Sequence, residues 1–358
     1  MKFGETCKKY ATRWFITAFG GMAQGLFCTL IAGTILSLFT RWTGTDNAFG
    51  SLLNAVACIA KTAMGFCIGV GIAHSLGANK LTVFSCGVAG FVGAFADKII
   101  GGGFLSLALG APGNPIGAYI CSLIACELVS LYAGKTKFDI LIVPLGTLAL
   151  LLGLVYVAYP FIWLIGKLGE FIEWATGIAP FFMGIIISVV MGVLLTMPTS
   201  SAAIWVAVAS GNTSDAMLIA GGAAVVGCSC HMIGFAVASF RENGFSGLIS
   251  QGLGTSMLQI PNIMKKPVIM LPEIISSAIL GPVATCLFRM KCNAVGGGMG
   301  TSGLVGVFGV IDASAGVPAW QITLSVALLI FILPAVLTFV FSELFRKIGW
   351  IKEDDQKL

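Results

Sequence analysis

Two ionisable side chains, Glu273 and His231, stand inside apolar stretches of this sequence and are the residues best suited to chemistry. Glu273 directly follows Pro272, and a regular helix cannot continue backwards through that proline. A carboxylate at such a break can accept a hydrogen bond from a hydroxyl group or act as its base. The alternative is an ordinary acidic residue at an interfacial helix start. We therefore predict Glu273 as the candidate catalytic residue.

His231 ends the run Cys228-Ser-Cys-His231, whose residue types resemble metal ligands. A structural zinc site needs four ligands at closed spacings, and no second cluster follows, so we predict no metal. His231 is instead a candidate solute ligand or proton site, with a buried, hydrogen-bonded histidine as the alternative. No cofactor is expected either, because Gly296–Ser302 lacks the Gly-Lys-Ser/Thr ending of a nucleotide-binding loop.

Neutral hydroxyl and amide side chains accumulate where the apolar runs are interrupted. Such groups pair with the hydroxyls of a solute without needing a counter-charge. Together with His231, they are the predicted solute-binding residues: Gln24, Asn114, Thr199, Ser200, Ser201, Thr301 and Ser302. For Gln24, hydrogen bonding between helices is an equally good interpretation.

Three interrupted stretches must position these residues. Cys292–Asp312 is apolar but rich in glycine, and each interior glycine costs a helix about 1 kcal/mol relative to alanine. Similar breaks occur at Gly101–Gly117, with Pro112 and Pro115, and at Met197–Ser201. Interrupted hydrophobic segments at corresponding places in two halves point to a transporter's binding site. Close helix packing through the glycines is the alternative.

The composition predicts an all-α, polytopic membrane protein. Of the 358 residues, 57% are hydrophobic and 10% charged, against roughly 25% charged in soluble domains. About ten spans of some 20 apolar residues fit this length, several of them re-entrant or broken, with the lipid bilayer as partner. The net charge of +5 is attributed to lysines and arginines that orient the spans in the membrane, rather than to nucleic-acid binding. The eleven cysteines are expected to be packing residues.

The sequence predicts one membrane domain of two pseudo-related halves, about 1–166 and 178–350. Residues 167–177 mix charged and aromatic residues and predict an amphipathic helix at the membrane interface. Lysines and arginines before the first span and after the last place both termini in the cytoplasm. The topology of 178–266 is left open.

Five short motifs resemble the enzyme IIC membrane subunits of the sugar phosphotransferase system, in particular the toxin-regulator-like branch named after a perfringolysin regulator. They are Gly21-Met-Ala-Gln-Gly-Leu-Phe27, Gly113-Asn-Pro-Ile-Gly117, Met197-Pro-Thr-Ser-Ser-Ala-Ala-Ile204, Ile279-Leu-Gly-Pro-Val283 and Gly296-Gly-Gly-Met-Gly-Thr-Ser-Gly-Leu-Val-Gly306. The resemblance implies a homodimer in the bacterial inner membrane, which binds sugar between its halves. It also implies that a separate IIB protein, served by IIA, donates the phosphoryl group.

Two features depart from that family pattern. The better-known glucose- and chitobiose-type subunits carry Glu directly before Pro, whereas here Pro272 precedes Glu273. No IIA or IIB domain is fused, so a phosphoryl donor is expected on another chain. Whether the chain acts as an enzyme therefore depends on that partner.

The functional hypothesis is a permease for a small polar solute, a sugar, of the enzyme IIC type. One alternative is a proton-coupled or facilitative transporter on the same scaffold, with Glu127, His231 or Glu273 handling protons. A membrane sensor or regulator is the other alternative.

Overall fold

The chain folds into helices only, over the residues that the structure describes. This computed structural model describes residues 9–102, 113–197 and 200–358, and no strand occurs within these ranges, which confirms the all-α class. The main helices are α1 (Lys9–Ser37), α2 (Ala48–Thr62), α3 (Met64–Ser75), α4 (Lys80–Ala94), α5 (Pro115–Ser130), α6 (Asp139–Ile178), α7 (Pro180–Thr196), α8 (Ser201–Ala209), α9 (Asp215–Ala238), α10 (Pro267–Leu287), α11 (Ser302–Ala313) and α12 (Ala319–Ile348).

Shorter helical segments complete the connections. The helix of α1 extends beyond Ser37, because its last α-helical segment is Ala32–Thr43. The other short segments are Ala96–Ile100, Phe240–Ile249, Ser250–Gly254, Ser256–Gln259 and Ile260–Lys265.

Several helices are long and apolar enough to cross a membrane. Among the described residues there are five: α1, α6, α9, α10 and α12. A sixth arises if α2 and α3, which meet at a bend of 50°, form one broken span. Four further apolar helices, α4, α5, α7 and α11, are shorter than 18 residues. The polytopic membrane fold is therefore confirmed, while the number of ten crossings stays a prediction.

The chain divides into two compact units, Met1–Lys167 and Leu168–Leu358. The division falls inside α6, a continuous helix of 40 residues with Pro144 and Pro160 in its interior. The segment 167–177 is thus the last part of a long helix; its position at a membrane interface stays a prediction.

In the first unit, glycines bring the helices into backbone contact. A Cβ on Gly21 would overlap the carbonyl oxygen of Gly71, and one on Gly25 would lie 2.5 Å from that of Cys67. The Gly21-x-x-x-Gly25 spacing thus allows the backbones of α1 and α3 to approach closely.

In the second unit, α9 is the central helix, and α7, α10 and α12 pack around it. Of the 18-residue apolar window of α9, 83% is buried. A helix that is apolar on all sides is expected in such a central position. Glycines again set the separation, since a Cβ on Gly227 would overlap the Ser188 carbonyl of α7.

The C-terminal segment 349–358 folds back onto residues 240–266 through its backbone. The carbonyl oxygen of Gln356 accepts hydrogen bonds from Asn243 Nδ2 at 2.8 Å and Gln259 Nε2 at 2.9 Å. Lys266 Nζ and Asp355 Oδ2 form an ion pair at 2.6 Å. This segment is therefore an integral part of the second unit.

Candidate functional site

His231 lies in the middle of α9, in the interior of the second unit. Its side chain is fully buried, and its Nδ1 lies 2.8 Å from the Thr196 hydroxyl oxygen at the end of α7. Its Nε2 is buried too and has no hydrogen-bond partner in the part of the chain that the structure describes. One ring nitrogen is therefore held by the fold, and the other retains unused hydrogen-bonding capacity.

The missing side chain of Gly192 makes room for this imidazole. A Cβ at that position would lie 2.8 Å from His231 Nε2, overlap its Cδ2, and approach the Gly227 carbonyl oxygen to 2.7 Å. Since α7 and α9 are in contact here, glycine is the residue that allows a histidine between them.

Glu273 is buried as completely as His231 and lies in the first turn of the α-helical part of α10. Its side chain is packed against α9, because a Cβ on Gly234 would lie 2.9 Å from Glu273 Cγ. Neither carboxyl oxygen has a hydrogen-bond partner among residues 9–102, 113–197 and 200–358. Burying a polar group without a partner is costly, so this is a site held at the expense of stability. The alternative of an acidic residue exposed at an interface does not fit this burial.

Gly234 is one helical turn beyond His231 on α9. The two buried ionisable side chains are therefore placed by neighbouring turns of one helix. Thr338 of α12 also packs against Gly234 and donates a hydrogen bond to Ser276 Oγ at 3.1 Å. Helix α12 is therefore in contact with both α9 and α10 next to Glu273.

The stretch that begins at Cys292 is irregular up to Thr301, is a 3-10 turn over Ser302–Leu304, and becomes helical from Val305. The predicted break is confirmed. Three hydroxyls tie it to its surroundings through backbone carbonyls. Thr301 donates to Gly252 at 2.5 Å, Ser302 donates to Gly254 at 2.9 Å, and Ser201 donates to Gly298 at 2.7 Å. In this conformation those hydroxyl protons hold the loop.

The glycines of this loop pack closely against α8 and α9. A Cβ on Gly298 would lie 2.5 Å from the Ser201 carbonyl oxygen. Gly300 has φ +55° and its Cβ would lie 2.8 Å from the backbone of Cys228, so both conformation and space require glycine there. The packing interpretation of the glycines thus has direct support, while the site interpretation stays a prediction.

The remaining predicted site residues have structural contacts of their own. Ser200 caps α8 by accepting from Ala203 N at 3.2 Å. In the first unit, Asn114 caps α5 by accepting from the amides of Ile116 and Gly117. Gln24 has an exposed side chain on α1. Thr199 lies outside the described residues. As solute ligands, all of these stay predictions.

Glu127, an alternative proton carrier, is paired. Its Oε1 accepts from Arg13 Nε at 2.7 Å and from Trp14 Nε1 at 3.2 Å. Two donors therefore engage this carboxylate within the first unit, and its role as a proton carrier stays a prediction.

Sequence reasoning missed the partners of His231. Thr196 ends an apolar helix and had no signal beyond preceding the Met197-Pro198 break. Ser256 lies 3.0 Å from the Thr196 hydroxyl but 60 residues away in sequence, so no local pattern could identify it. Trp205 was missed too: its buried Nε1 faces Gly297 and lacks a hydrogen-bond partner within the described ranges.

The long apolar helices define a polytopic membrane protein, with unpartnered polar side chains buried in the described part of its second unit. Over residues 16–358, the chain matches the family model described as phosphotransferase system, EIIC. The chain belongs to this family. It is therefore a membrane component of a sugar phosphotransferase permease in the bacterial plasma membrane. No curated protein and no solved structure matches it, and its assignment to the toxin-regulator-like branch stays a prediction.

Proposed function

We propose that this chain is the permease subunit that carries a sugar across the membrane and presents it for phosphorylation by a separate IIB protein. The observation that carries the proposal is the pair of buried, unpartnered groups in the second unit, Glu273 and His231 Nε2. Within the EIIC family, such groups are suited to the hydroxyls of a sugar.

Each of these groups has a chemical role in the proposal. The Glu273 carboxyl accepts a hydrogen bond from a solute hydroxyl and takes up its proton as the phosphoryl group is transferred. His231 binds a second solute hydroxyl. An uncharged solute is favoured, since within the described residues no lysine or arginine donates a hydrogen bond to the Glu273 carboxyl or to His231 Nε2.

Three further features belong to this proposal. The IIB partner and the homodimer follow the pattern of the family. The cytoplasmic position of both termini rests on the flanking lysines and arginines, among them Arg346, Lys347 and Lys352. The cytoplasmic side is then the side on which the IIB protein, as phosphoryl donor, meets the sugar, as phosphoryl acceptor.

The test is phosphoenolpyruvate-dependent phosphorylation in everted membrane vesicles that contain this chain. They are supplied with cytosolic extract from the bacterium of origin, phosphoenolpyruvate, and radiolabelled hexoses, hexitols and disaccharides in turn. We expect at least one labelled sugar to become sugar phosphate. Glu273→Gln should lower that rate about 100-fold or more, the range for loss of a general base. Glu353→Gln, in the exposed tail, is the matched control.

Two outcomes would contradict the proposal. One is the absence of sugar phosphate with every sugar in the panel. The other is uptake that follows a proton gradient and ignores phosphoenolpyruvate, which would make the chain a secondary transporter.

A further inference from the structure

The Thr196 hydroxyl has three polar neighbours, and their chemistry decides where its proton goes. Thr196 Oγ1 lies 2.8 Å from His231 Nδ1, 3.0 Å from Ser256 Oγ and 3.2 Å from the Gly192 carbonyl oxygen. All four groups are in the buried interior of the second unit. A threonine hydroxyl has one proton to donate and two lone pairs that accept.

Only one distribution of protons satisfies all three contacts. The Gly192 carbonyl can accept but never donate, so it must receive the threonine proton. The two lone pairs of Thr196 Oγ1 then accept from Ser256 O–H and from His231 Nδ1–H. In a neutral imidazole one nitrogen carries the proton and the other is an acceptor. His231 Nε2 is then a bare acceptor.

We propose that Thr196 is a positioning residue that holds His231 in the Nδ1–H tautomer, with Ser256 completing the arrangement, so that Nε2 accepts a hydrogen bond. The proposal rests on the proposed function only where it concerns the solute: there, Nε2 accepts from an O–H of the sugar. The statement about the tautomer concerns the chain alone.

This tautomer adds a specificity element. With Nε2 as acceptor, the solute must offer a proton donor at that position. A solute that offers only an acceptor there, such as an ether or carbonyl oxygen, leaves Nε2 unpaired in a buried site, and an unpaired buried polar group costs binding. The fold thus selects for a hydroxyl at one position of the sugar.

Nitrogen NMR of histidine-labelled protein tests the tautomer directly. The chain has two histidines, His74 and His231, so ¹⁵N-histidine labelling of the full chain in lipid nanodiscs gives two ring systems. His74→Gln removes one of them and assigns the other. Without any solute, at neutral pH, we expect His231 to show a protonated Nδ1 and an unprotonated Nε2.

Two variants make the test specific to Thr196. Thr196→Val keeps the shape but removes the hydroxyl, and the His231 signals should shift to a mixture that contains the Nε2–H form. Thr196→Ser restores the hydroxyl and should restore the wild-type pattern, while the His74 signals stay unchanged in both. An Nε2–H form in the wild type would overturn the proposal, as would an unchanged tautomer in Thr196→Val. The wild-type spectrum decides even if the valine variant does not fold.

The same spectra separate this proposal from the proposed function. A correct tautomer without sugar phosphorylation would leave the positioning role standing and refute the phosphotransfer. Sugar phosphorylation by a chain whose His231 is in the Nε2–H form would support the proposed function and refute the positioning role of Thr196.

Discussion

Alanine at Gly192 tests whether α7 and α9 are separated by the absence of one side chain. The added Cβ would lie 2.7 Å from the Gly227 carbonyl oxygen and 2.8 Å from His231 Nε2, both well inside van der Waals contact. The imidazole is fixed by Thr196 and the carbonyl belongs to α9, so neither can yield without the helix moving. Overpacking of this kind costs about 1–3 kcal/mol.

The matched control is Gly153→Ala in α6, where a Cβ would have no neighbour within 4 Å. Both variants gain the same helix propensity, about 1 kcal/mol, so this term cancels when they are compared. Gly192→Ala should therefore be less stable than Gly153→Ala by about 1–3 kcal/mol. For a chain of 358 residues, this corresponds to a Tm lower by roughly 1–4 °C at about 2.1 cal/mol/K of unfolding entropy per residue.

The assay is thermal unfolding of both purified variants in one detergent, followed by tryptophan fluorescence. Sugar phosphorylation should also fall in Gly192→Ala, because its His231 ring is displaced, and stay at the wild-type level in Gly153→Ala. Equal Tm values with equal activities would refute the reasoning, since they would mean that α7 and α9 can separate at no cost.

Three further predictions concern contacts of the second unit. Thr301→Val removes the donor to a buried loop carbonyl and should cost about 1–3 kcal/mol in thermal unfolding, whereas Thr301→Ser should not. Arg346 and Glu242 form a buried ion pair at 2.7 Å; Arg346→Met should cost about 3–5 kcal/mol, and adding Glu242→Gln should recover part of it. Burial opposes ionisation of Asp355, but hydrogen bonds from Lys266 and a backbone amide outweigh it and lower its pKa. The resulting stabilisation, at most about 1 kcal/mol, is complete above the unfolded-state pKa of about 3.9 and disappears as the pH falls through the folded-state pKa. The Tm difference between wild type and Asp355→Asn should therefore vanish in acid.

Glu273 could be selected from the sequence as a candidate because its signal is local, and its catalytic role stays a prediction. A carboxylate next to a proline in an apolar run conflicts with both helix continuity and burial, and the structure places it in a fully buried position. The break at Cys292–Asp312 was predictable for the same reason, since glycine density is a property of the segment itself. Local conflicts of this kind are expected at functional or strained sites.

The environment of these residues could not be predicted, because it depends on contacts between distant segments. Thr196 resembles any threonine that ends an apolar helix, and Ser256 reaches it only through the fold. Glu127 looks unpaired in sequence, whereas Arg13, 114 residues away, binds it. The helix count was uncertain for a related reason: α4, α5, α7 and α11 are too short to be recognised as spans by length.

The hydrogen bonds of the second unit also limit the kind of solute that fits the proposed site. The hydroxyls of Ser201, Thr301 and Ser302 give their protons to backbone carbonyls, so toward a solute they have lone pairs to offer rather than donors. A Glu273 carboxylate accepts only, and His231 Nε2 accepts in the tautomer proposed above. Toward a solute, the three hydroxyls, an ionised Glu273 and His231 Nε2 would each act as an acceptor. Acceptors of this kind pair with O–H donors, which a sugar offers, and they do not pair with the acceptor oxygens of an anionic solute.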